Sequence, residues 1–390
     1  MTRFEPNLRI PGPTSLPPSV REAGGRQMIN HRGLEFAAML NRIQVGMKPY
    51  FGTESDIAIV SSAGTGGLEA AVVNVLSPGD RVLAVSIGAF GDRFAKVAET
   101  YGASVDRVSA EWGWAADPDE LRERLPSADY RAVLLTHNET STGVMNPIPA
   151  LAAAIRTTSP DALILVDSVS ALGAVPFQMD DWGCDVVVTG SQKAWMAAPG
   201  LAMIAASERA WAAMETARMP RFYFDLLKHR ESARSGQTPW TPAIAVIYQV
   251  DEGIRLMAAE GAEAIFARHE ACAAATQAGL EALGFQLFAD PANRSKTVTA
   301  ALIPDGLDWK AFNSEITRRG VVLAGGQGKL AGKVFRVGHL GSVIVDEILG
   351  AIATLEAVSV ALGRPVEIGA GVAAAQRAAL GAGRQDAGPG

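Results

Sequence analysis

A lysine and an aspartate each follow an apolar run in this sequence. Lys193 comes shortly after Val186-Val187-Val188, and Asp167 closes the run Leu163-Ile164-Leu165-Val166. A lysine at a strand-to-loop edge can form an imine with an aldehyde cofactor, and a carboxylate at a neighbouring strand end can keep that cofactor's ring nitrogen protonated. Pyridoxal phosphate (PLP) is the cofactor that needs both groups, so the pair predicts PLP chemistry.

Each of the two residues also has an ordinary structural explanation. An aspartate at a strand end often caps the next turn, and most lysines are solvated surface charges. The neighbours of Lys193, such as Val188 and Trp195, are not surface-like. They predict an apolar surround that lowers the pKa of the amine and frees it to attack an aldehyde.

A glycine-rich turn, Ser61-Ser62-Ala63-Gly64-Thr65-Gly66-Gly67, lies between an apolar run and a helical stretch. Backbone N–H groups at a helix start attract anions, so Ala63, Gly64 and Thr65 are candidate phosphate ligands. The turn is not a P-loop, because no Gly-Lys-Ser/Thr follows. Glu69 stands where a dinucleotide fingerprint needs its third glycine. A tight turn without a ligand fits the same residues.

Two further side chains suit a ligand site. Phe90 lies between Gly88 and Gly91 and can stack on a flat ring, although ordinary core packing is the alternative. Arg336 interrupts an apolar strand pattern and therefore needs a partner. Its guanidinium matches a carboxylate, so Arg336 is a candidate anchor for a substrate α-carboxylate, with a structural salt bridge as the alternative. The five histidines show no metal-ligand spacing, and no metal site is predicted.

Short β-rich runs alternate with amphipathic stretches from about residue 56 to residue 207. The runs cover 57–60, 82–85, 132–136, 163–166, 186–188 and 201–204. This rhythm predicts an α/β domain with a mostly parallel sheet, whose active site gathers at the carboxyl ends of the strands. Lys193, Asp167, the turn after Val60 and the segment after Thr136 all fall there.

The rest of the chain predicts three further parts. Five prolines make residues 1–20 an extended N-terminal arm, and the large PLP-binding domain covers 21–250. Residues 251–363 are expected to hold a linker helix and a smaller C-terminal α+β domain. Residues 364–390 are rich in alanine and glycine and are expected to form a mobile tail.

Composition restricts the class of protein. A formal net charge of −6 over 390 residues argues against nucleic-acid binding. The N-terminus lacks the apolar core of a secretory signal, and no stretch approaches about 18 apolar residues. Cys184 and Cys272 lie in apolar stretches and are expected to be buried free thiols. The sequence therefore predicts a soluble, cytoplasmic protein.

The ordered series of motifs resembles the class V aminotransferases of PLP fold type I, most closely their alanine:glyoxylate and serine:glyoxylate (serine:pyruvate) branch. The series comprises Pro11-Gly12-Pro13-Thr14, Asn30-His31-Arg32-Gly33, Ser62-Ala63-Gly64-Thr65-Gly66, His137-Asn138-Glu139-Thr140-Ser141-Thr142-Gly143, Asp167-Ser168-Val169-Ser170, Ser191-Gln192-Lys193, Thr238-Pro239-Trp240-Thr241-Pro242 and Phe335-Arg336-Val337-Gly338-His339. The resemblance implies a large domain with a mostly parallel seven-stranded sheet flanked by helices, plus a smaller C-terminal α+β domain.

The resemblance also implies roles for individual residues. Lys193 would be the Schiff-base lysine and Asp167 the pyridinium partner. The remaining cofactor contacts would be Phe90 and Val169 on the two ring faces, Gly64, Thr65 and Gln192 at the phosphate, and Thr140 near the ring hydroxyl. Two positions depart from many members: Thr65-Gly66 stands where the phosphate turn often has His or Ser, and Phe90 where some members have Trp.

Substrate and partner contacts are implied in the same way. Arg336 matches the arginine that binds the substrate carboxylate, and Gly12 belongs to a segment that lines the substrate pocket. Thr238 and Thr241 match the segment that reaches the cofactor phosphate of the neighbouring subunit. The resemblance therefore implies a homodimer with active sites shared across its interface.

The implied activity is that of a PLP-dependent aminotransferase (EC 2.6.1 type). It would move the amino group of serine or alanine to glyoxylate or pyruvate by a ping-pong exchange through an imine at Lys193 (internal aldimine). Aspartate, phosphoserine or pyridoxamine are alternative donors. A PLP lyase or a cysteine desulfurase is disfavoured, since neither Cys184 nor Cys272 lies in a mobile loop. A dehydrogenase or a non-catalytic binding protein that uses the Gly64 turn is the alternative from another class.

Overall fold

The computed structural model describes residues 5–382. Within them, helices α1 to α13 span Pro18–Gly24, Leu34–Phe51, Gly64–Val75, Ala89–Thr100, Pro118–Arg124, Ile148–Thr158, Glu208–Thr216, Leu226–Arg234, Ile244–Glu260, Ala262–Ala282, Trp309–Arg318, Val345–Ala361 and Ala370–Ala382. Strands β1 to β14 span Asn7–Leu8, Ile57–Ser62, Arg81–Ser86, Ser104–Ser109, Ala132–Thr136, Asn138–Glu139, Val144–Met145, Leu163–Asp167, Val186–Gly190, Gly200–Ala206, Val298–Leu302, Val321–Val322, Ala324–Gly325 and Val334–Gly338. Among these helices, none combines the length and the apolar character that crossing a membrane requires.

Seven strands form the central sheet, in the order β2-β10-β9-β8-β5-β3-β4. β10 runs antiparallel to both of its neighbours, and the other pairs are parallel. The predicted mostly parallel seven-stranded sheet is confirmed, and all six apolar runs are strands in it. The seventh strand, β4, lies at the sheet edge, and its Ser104, Arg107 and Ser109 are exposed. An edge strand of this kind carries no continuous apolar run, which is why the pattern did not reveal it.

Helices cover both faces of this sheet. In β9, Val186 and Val188 pack with α3 and α7 in one core, whereas Val187 packs with α2 and α9 in the other. Because both faces are buried, the strands read as unbroken apolar runs instead of alternating patterns. The polar residues that follow these strands then collect at the carboxyl edge of the sheet.

A three-stranded antiparallel sheet, in the order β11-β14-β13, forms the smaller unit with α11, α12 and part of α10. Phe285 packs edge to face against Phe312 and Phe335 in its core. The domain division between residues 250 and 251 stays a prediction. It falls inside α9, and Val250 and Ile254 on either side of it both pack in the core of the large sheet.

The N-terminal segment joins the small sheet to the loop that carries Lys193. β1 pairs in parallel with β12, and Gly338 N donates a hydrogen bond of 2.6 Å to the Arg9 carbonyl. Thr14 N donates to the Gln192 carbonyl at 3.1 Å. The arm predicted over residues 1–20 ends earlier than expected, because α1 begins at Pro18, a helical position where the missing N–H of proline costs nothing. Residues 1–4 lie outside the described residues.

The C-terminal tail predicted over residues 364–390 contains a helix. α13 lies against α10, and the buried carboxylate of Glu356 in α12 accepts hydrogen bonds from Gly371 N at 2.7 Å and Val372 N at 3.2 Å, at the start of α13. The prediction is wrong for residues 370–382, because their alanines are strong helix formers and the scattered glycines do not outweigh them. Residues 383–390 lie outside the described residues.

Candidate active site

A pocket lies at the carboxyl edge of the central sheet. Ten of the predicted site residues line it: Gly12, Ala63, Gly64, Thr65, Phe90, Thr140, Asp167, Val169, Gln192 and Lys193. Six lining residues were not predicted: Pro13, Leu68, Arg93, Asn138, Ser170 and Pro199. Three predicted residues, Thr238, Thr241 and Arg336, are not part of its lining.

Lys193 follows β9, and its amine is held by the N-terminal arm. Its Nζ donates a hydrogen bond of 2.6 Å to the Pro11 carbonyl. Burial lowers the pKa of the amine to about 8, against the opposing effect of the Asp167 charge. Gly12 has a φ of +139°, and a Cβ there would lie 2.6 Å from Nζ. The close approach of the arm to Lys193 therefore requires glycine at this position.

Asp167 is the last residue of β8. Its Oδ1 accepts a hydrogen bond of 3.0 Å from Val169 N. Burial raises the pKa of this carboxyl to about 6, and the nearby Glu139 carboxylate adds to the shift. The group is therefore ionised above about pH 6, and a cation placed beside it in the pocket would be strongly favoured.

Glu139 positions Phe90, a role that the sequence did not suggest. Its buried Oε2 accepts hydrogen bonds from Phe90 N at 3.0 Å and Gly91 N at 3.1 Å, and its Oε1 accepts one from Ser141 N at 3.0 Å. Burial raises the pKa of Glu139, and these hydrogen bonds oppose that shift. The carboxylate caps the start of α4 and thereby fixes the aromatic side chain in the pocket wall.

The start of α3 offers a place for an anion. No side chain of the described residues caps it, and its first turn contains no acidic residue. The side-chain oxygen of Gln192 is buried without a hydrogen-bond partner in this part of the chain. Because that oxygen only accepts, it is the NH2 group of the same amide that could donate to a phosphate. A Cβ at Gly64 would lie 2.7 Å from Val169 Cγ2, so the turn needs glycine to pass this close. The free N–H groups fit a phosphate.

Arg336 lies next to the pocket, against Thr140. Its Nη1 donates to the Thr140 carbonyl at 3.1 Å and to Gln327 Oε1 at 3.3 Å, and its Nε donates to the Gly325 carbonyl at 2.9 Å. Burial lowers the pKa of the guanidinium. No Asp or Glu among residues 5–382 forms an ion pair with it within 4.0 Å, so the structural salt bridge weighed above is not formed there. The side chain retains donors for a carboxylate.

Asn138 and Ser170 connect the pocket to the small sheet. Asn138 Nδ2 donates to Ser170 Oγ at 2.8 Å and to Thr297 Oγ1 at 3.1 Å, and Thr140 Oγ1 donates to Ser170 Oγ at 2.9 Å. Both residues stand in the segments after β5 and β8, so their positions carried a signal. Their mutual contacts could not be predicted from the sequence, because these contacts join residues that are far apart in the chain.

Thr238 and Thr241 lie in the segment that precedes α9. Thr238 is buried, and its Oγ1 donates to the Trp240 carbonyl at 2.7 Å, whereas Thr241 is exposed. Their predicted role concerned the neighbouring subunit, and it stays a prediction.

The two cysteines are free and buried. Burial raises the pKa of both Cys184 and Cys272 to about 12, and neither lines the pocket. A desulfurase needs a reactive thiol at the substrate, so these positions do not fit that alternative. Within residues 5–382, no group of three or more His, Cys, Asp or Glu side chains could hold a metal ion.

Known proteins resemble this chain over nearly its whole length. The family model "Aminotransferase class-V" matches residues 19–338. The L-aspartate–glyoxylate aminotransferase of Paracoccus denitrificans is 40% identical over 96% of both chains, and the serine–glyoxylate aminotransferase of Methylorubrum extorquens is 36% identical over 95% of this chain and 94% of that protein. A Synechococcus protein named soluble hydrogenase, small subunit, is 42% identical over 95% of this chain and 97% of its own. The structure of pyridoxamine-pyruvate aminotransferase from Mesorhizobium loti superposes with a TM-score of 0.91 at 30% identity, covering 99% of both chains.

Proposed function

The chain belongs to the class-V aminotransferase family, and on this premise we propose that it moves the amino group of serine or alanine to glyoxylate or pyruvate with PLP bound in the pocket. The observation that carries the proposal is the pair of half-buried Lys193 and buried Asp167, which line one cavity with the uncapped start of α3. The relatives whose names give serine, alanine or aspartate as one substrate all give glyoxylate as the other. This supports glyoxylate as the acceptor.

When bound, PLP supplies an aldehyde that takes up the substrate amine and a protonated ring that withdraws electrons from the substrate Cα. Lys193 is suited to carry the aldehyde and to move a proton at the substrate Cα, because a pKa of about 8 leaves part of its amine neutral at physiological pH. Asp167 would hold the ring nitrogen, Gly64, Thr65 and Gln192 the phosphate, and Phe90 and Val169 the two ring faces.

The donor is best identified by mixing the cofactor-loaded enzyme with single amino donors and following the cofactor absorbance in one turnover. We expect serine and alanine to react fastest, ahead of aspartate, phosphoserine and pyridoxamine. A faster reaction with aspartate would leave the assignment as a transaminase in place and change only the assigned donor. A protein that takes up no PLP would overturn the proposal.

Replacing Arg336 by alanine is expected to raise KM for amino and keto acids by about 10²-fold, because charged hydrogen bonds to a carboxylate contribute about 1.5–3 kcal/mol each. The change should also reduce the preference for alanine over ethylamine, which has no carboxylate. Steady-state kinetics with both amines measure this. Arg318→Ala, an exposed arginine on α11 of the same domain, is the matched control. Unchanged constants in Arg336→Ala would remove the assigned role.

We further propose that two copies of the chain form a homodimer through an aromatic patch beside Thr238. Phe222 stacks on Trp240 with ring centroids 4.8 Å apart, and Trp240 Nε1 donates to the Tyr223 carbonyl at 3.0 Å. Phe222 is 69% exposed although it is large and apolar. The patch borders the 238–241 segment, so a second copy seated on it would bring the two threonines toward the neighbouring pocket.

Phe222→Asp is expected to shift the protein from dimer to monomer and to weaken PLP retention, because a charge at the centre of an apolar interface is left without a partner. Light scattering coupled to size exclusion gives the mass, and absorbance of the same peak gives the bound PLP. Ile368→Asp, at a position that is 73% exposed in the C-terminal part, is the control. A dimeric Phe222→Asp would show that the patch lies outside the interface.

A cytoplasmic location also stays part of the proposal. It is supported by the two free, buried thiols, which suit a reducing compartment.

A further inference from the structure

Arg93 is the one pocket residue whose charge the proposed chemistry leaves unused. It lies on α4, one turn after Phe90, and its guanidinium carbon is 4.7 Å from the centroid of the Phe90 ring. Its Nη1 lies 3.4 Å from Thr65 Oγ1, on the first turn of α3. The side chain is exposed, and no carboxylate of residues 5–382 forms an ion pair with it within 4.0 Å.

The charge balance of the pocket favours a cation at the start of α3. A phosphate monoester carries about −1.5 to −2 at pH 7, whereas a helix N-terminus is equivalent to about +0.5. Of the described residues that line the pocket, only Lys193 and Arg93 have cationic side chains. The charges of both act on Asp167, that of Lys193 more strongly, and Lys193 is held by its hydrogen bond to the Pro11 carbonyl, whereas Arg93 lies against Thr65 at the start of α3. Arg93 is the cation left for the phosphate.

We propose that Arg93 binds the phosphate group of the cofactor, together with the free N–H groups at the start of α3 and the side chain of Gln192. The assignment rests on the proposed function, since it takes PLP as the ligand. A guanidinium fork matches two phosphate oxygens. Its contact with the Phe90 ring also holds the guanidinium at the edge of the cavity, where a fully solvated lysine would not be fixed.

The phosphate role is separable from two other roles for the same side chain. If Arg93 only supported the Phe90 ring, its loss would weaken every ligand that stacks on Phe90, with or without a phosphate. If it only paired with a carboxylate of a second copy of the chain, its loss would weaken the dimer. A phosphate contact alone makes the effect depend on the phosphate group.

The test compares PLP with pyridoxal, which has the same ring and aldehyde and no phosphate. Cofactor-free protein, prepared from the whole chain, is titrated with each compound, and Kd is read from tryptophan fluorescence and cofactor absorbance. We expect Arg93→Gln to raise Kd for PLP by about 10-fold or more, as the loss of charged hydrogen bonds predicts, and to change Kd for pyridoxal less than about twofold. Arg93→Lys should lie between the wild type and Arg93→Gln.

Lys96→Gln is the matched control, since Lys96 lies on the same helix, is 73% exposed and does not line the pocket. It should leave both constants unchanged. Equal weakening of PLP and pyridoxal in Arg93→Gln, a dissociated dimer, or no change in either constant would overturn the assignment of Arg93. If the wild-type protein bound neither compound, the proposed function itself would fall. If the wild type bound PLP and Arg93→Gln bound it equally well, only the role of Arg93 would fall.

Discussion

Replacing Lys193 by alanine is expected to abolish transamination and to leave the protein folded. The amine is the nucleophilic side chain at the centre of the pocket, and its burial and contact with the Pro11 carbonyl hold it in place. Loss of a covalent nucleophile that also transfers protons should lower kcat by at least about 10⁴-fold. The structural cost is small, because one hydrogen bond contributes only about 1 kcal/mol to the free energy of unfolding.

Transaminase rates with alanine and glyoxylate measure the loss, and circular dichroism and thermal unfolding measure the fold. Borohydride reduction followed by peptide mapping should find the cofactor of the wild-type enzyme on the peptide that contains Lys193. Lys310→Ala, an exposed position on α11, should behave like the wild type in every assay. Substantial turnover by Lys193→Ala, or a reduced cofactor on another lysine, would contradict the assignment.

The sequence revealed those parts of the fold that depend on local patterns. Strands buried on both faces leave unbroken apolar runs, and the polar residue after each run marks the carboxyl edge of the sheet. For this reason the sequence placed Asp167, Lys193 and Gly64 at this edge, where all three line the pocket. The edge strand β4 and the helix α13 have weaker local patterns, and their places depend on β3 and α10, against which they pack.

The parts of the site that the sequence did not reveal depend on contacts between distant segments. Glu139 caps α4, which lies about fifty positions earlier in the chain, and no spacing rule connects the two. Arg93 is recognised as a candidate phosphate ligand only because α3 brings Thr65 beside it. The Pro11 carbonyl reaches Lys193 only because the arm crosses to the small sheet. Tertiary packing, and not local propensity, decides all three.

Arg336 is an instructive intermediate case. The sequence indicated correctly that a charged residue inside an apolar strand needs partners. The structure supplies backbone carbonyls and the Gln327 amide in place of a carboxylate. The hydrogen bonds of this guanidinium go to neutral acceptors, and the Glu139 carboxylate offsets its charge only from beyond ion-pair distance, an arrangement that would favour a substrate that brings a carboxylate with it.

Asp167→Asn is the second change with a large expected effect. Asparagine has the same shape and can still accept the hydrogen bond from Val169 N, so only the charge is lost. Removing one partner of a buried ion pair costs about 3–5 kcal/mol, which as a barrier increase corresponds to roughly 10²- to 5 × 10³-fold in kcat. Burial raises the pKa of this carboxyl to about 6, so the wild-type group is charged at pH 8, where the comparison is made.

The same pKa determines how the effect depends on pH. As the pH falls through about 6, the wild-type carboxyl takes up a proton and no longer attracts the charged ring nitrogen. The difference in PLP affinity between wild type and Asp167→Asn should therefore narrow.

PLP methylated at the ring nitrogen carries a permanent positive charge, and it should restore part of the activity of Asp167→Asn because the ring then no longer needs the carboxylate to stay charged. Asp305→Asn, in an exposed loop of the small domain, is the control. An Asp167→Asn enzyme with wild-type kcat at pH 8, or one that the methylated cofactor leaves inactive, would show that this carboxylate does not act by keeping the ring nitrogen charged.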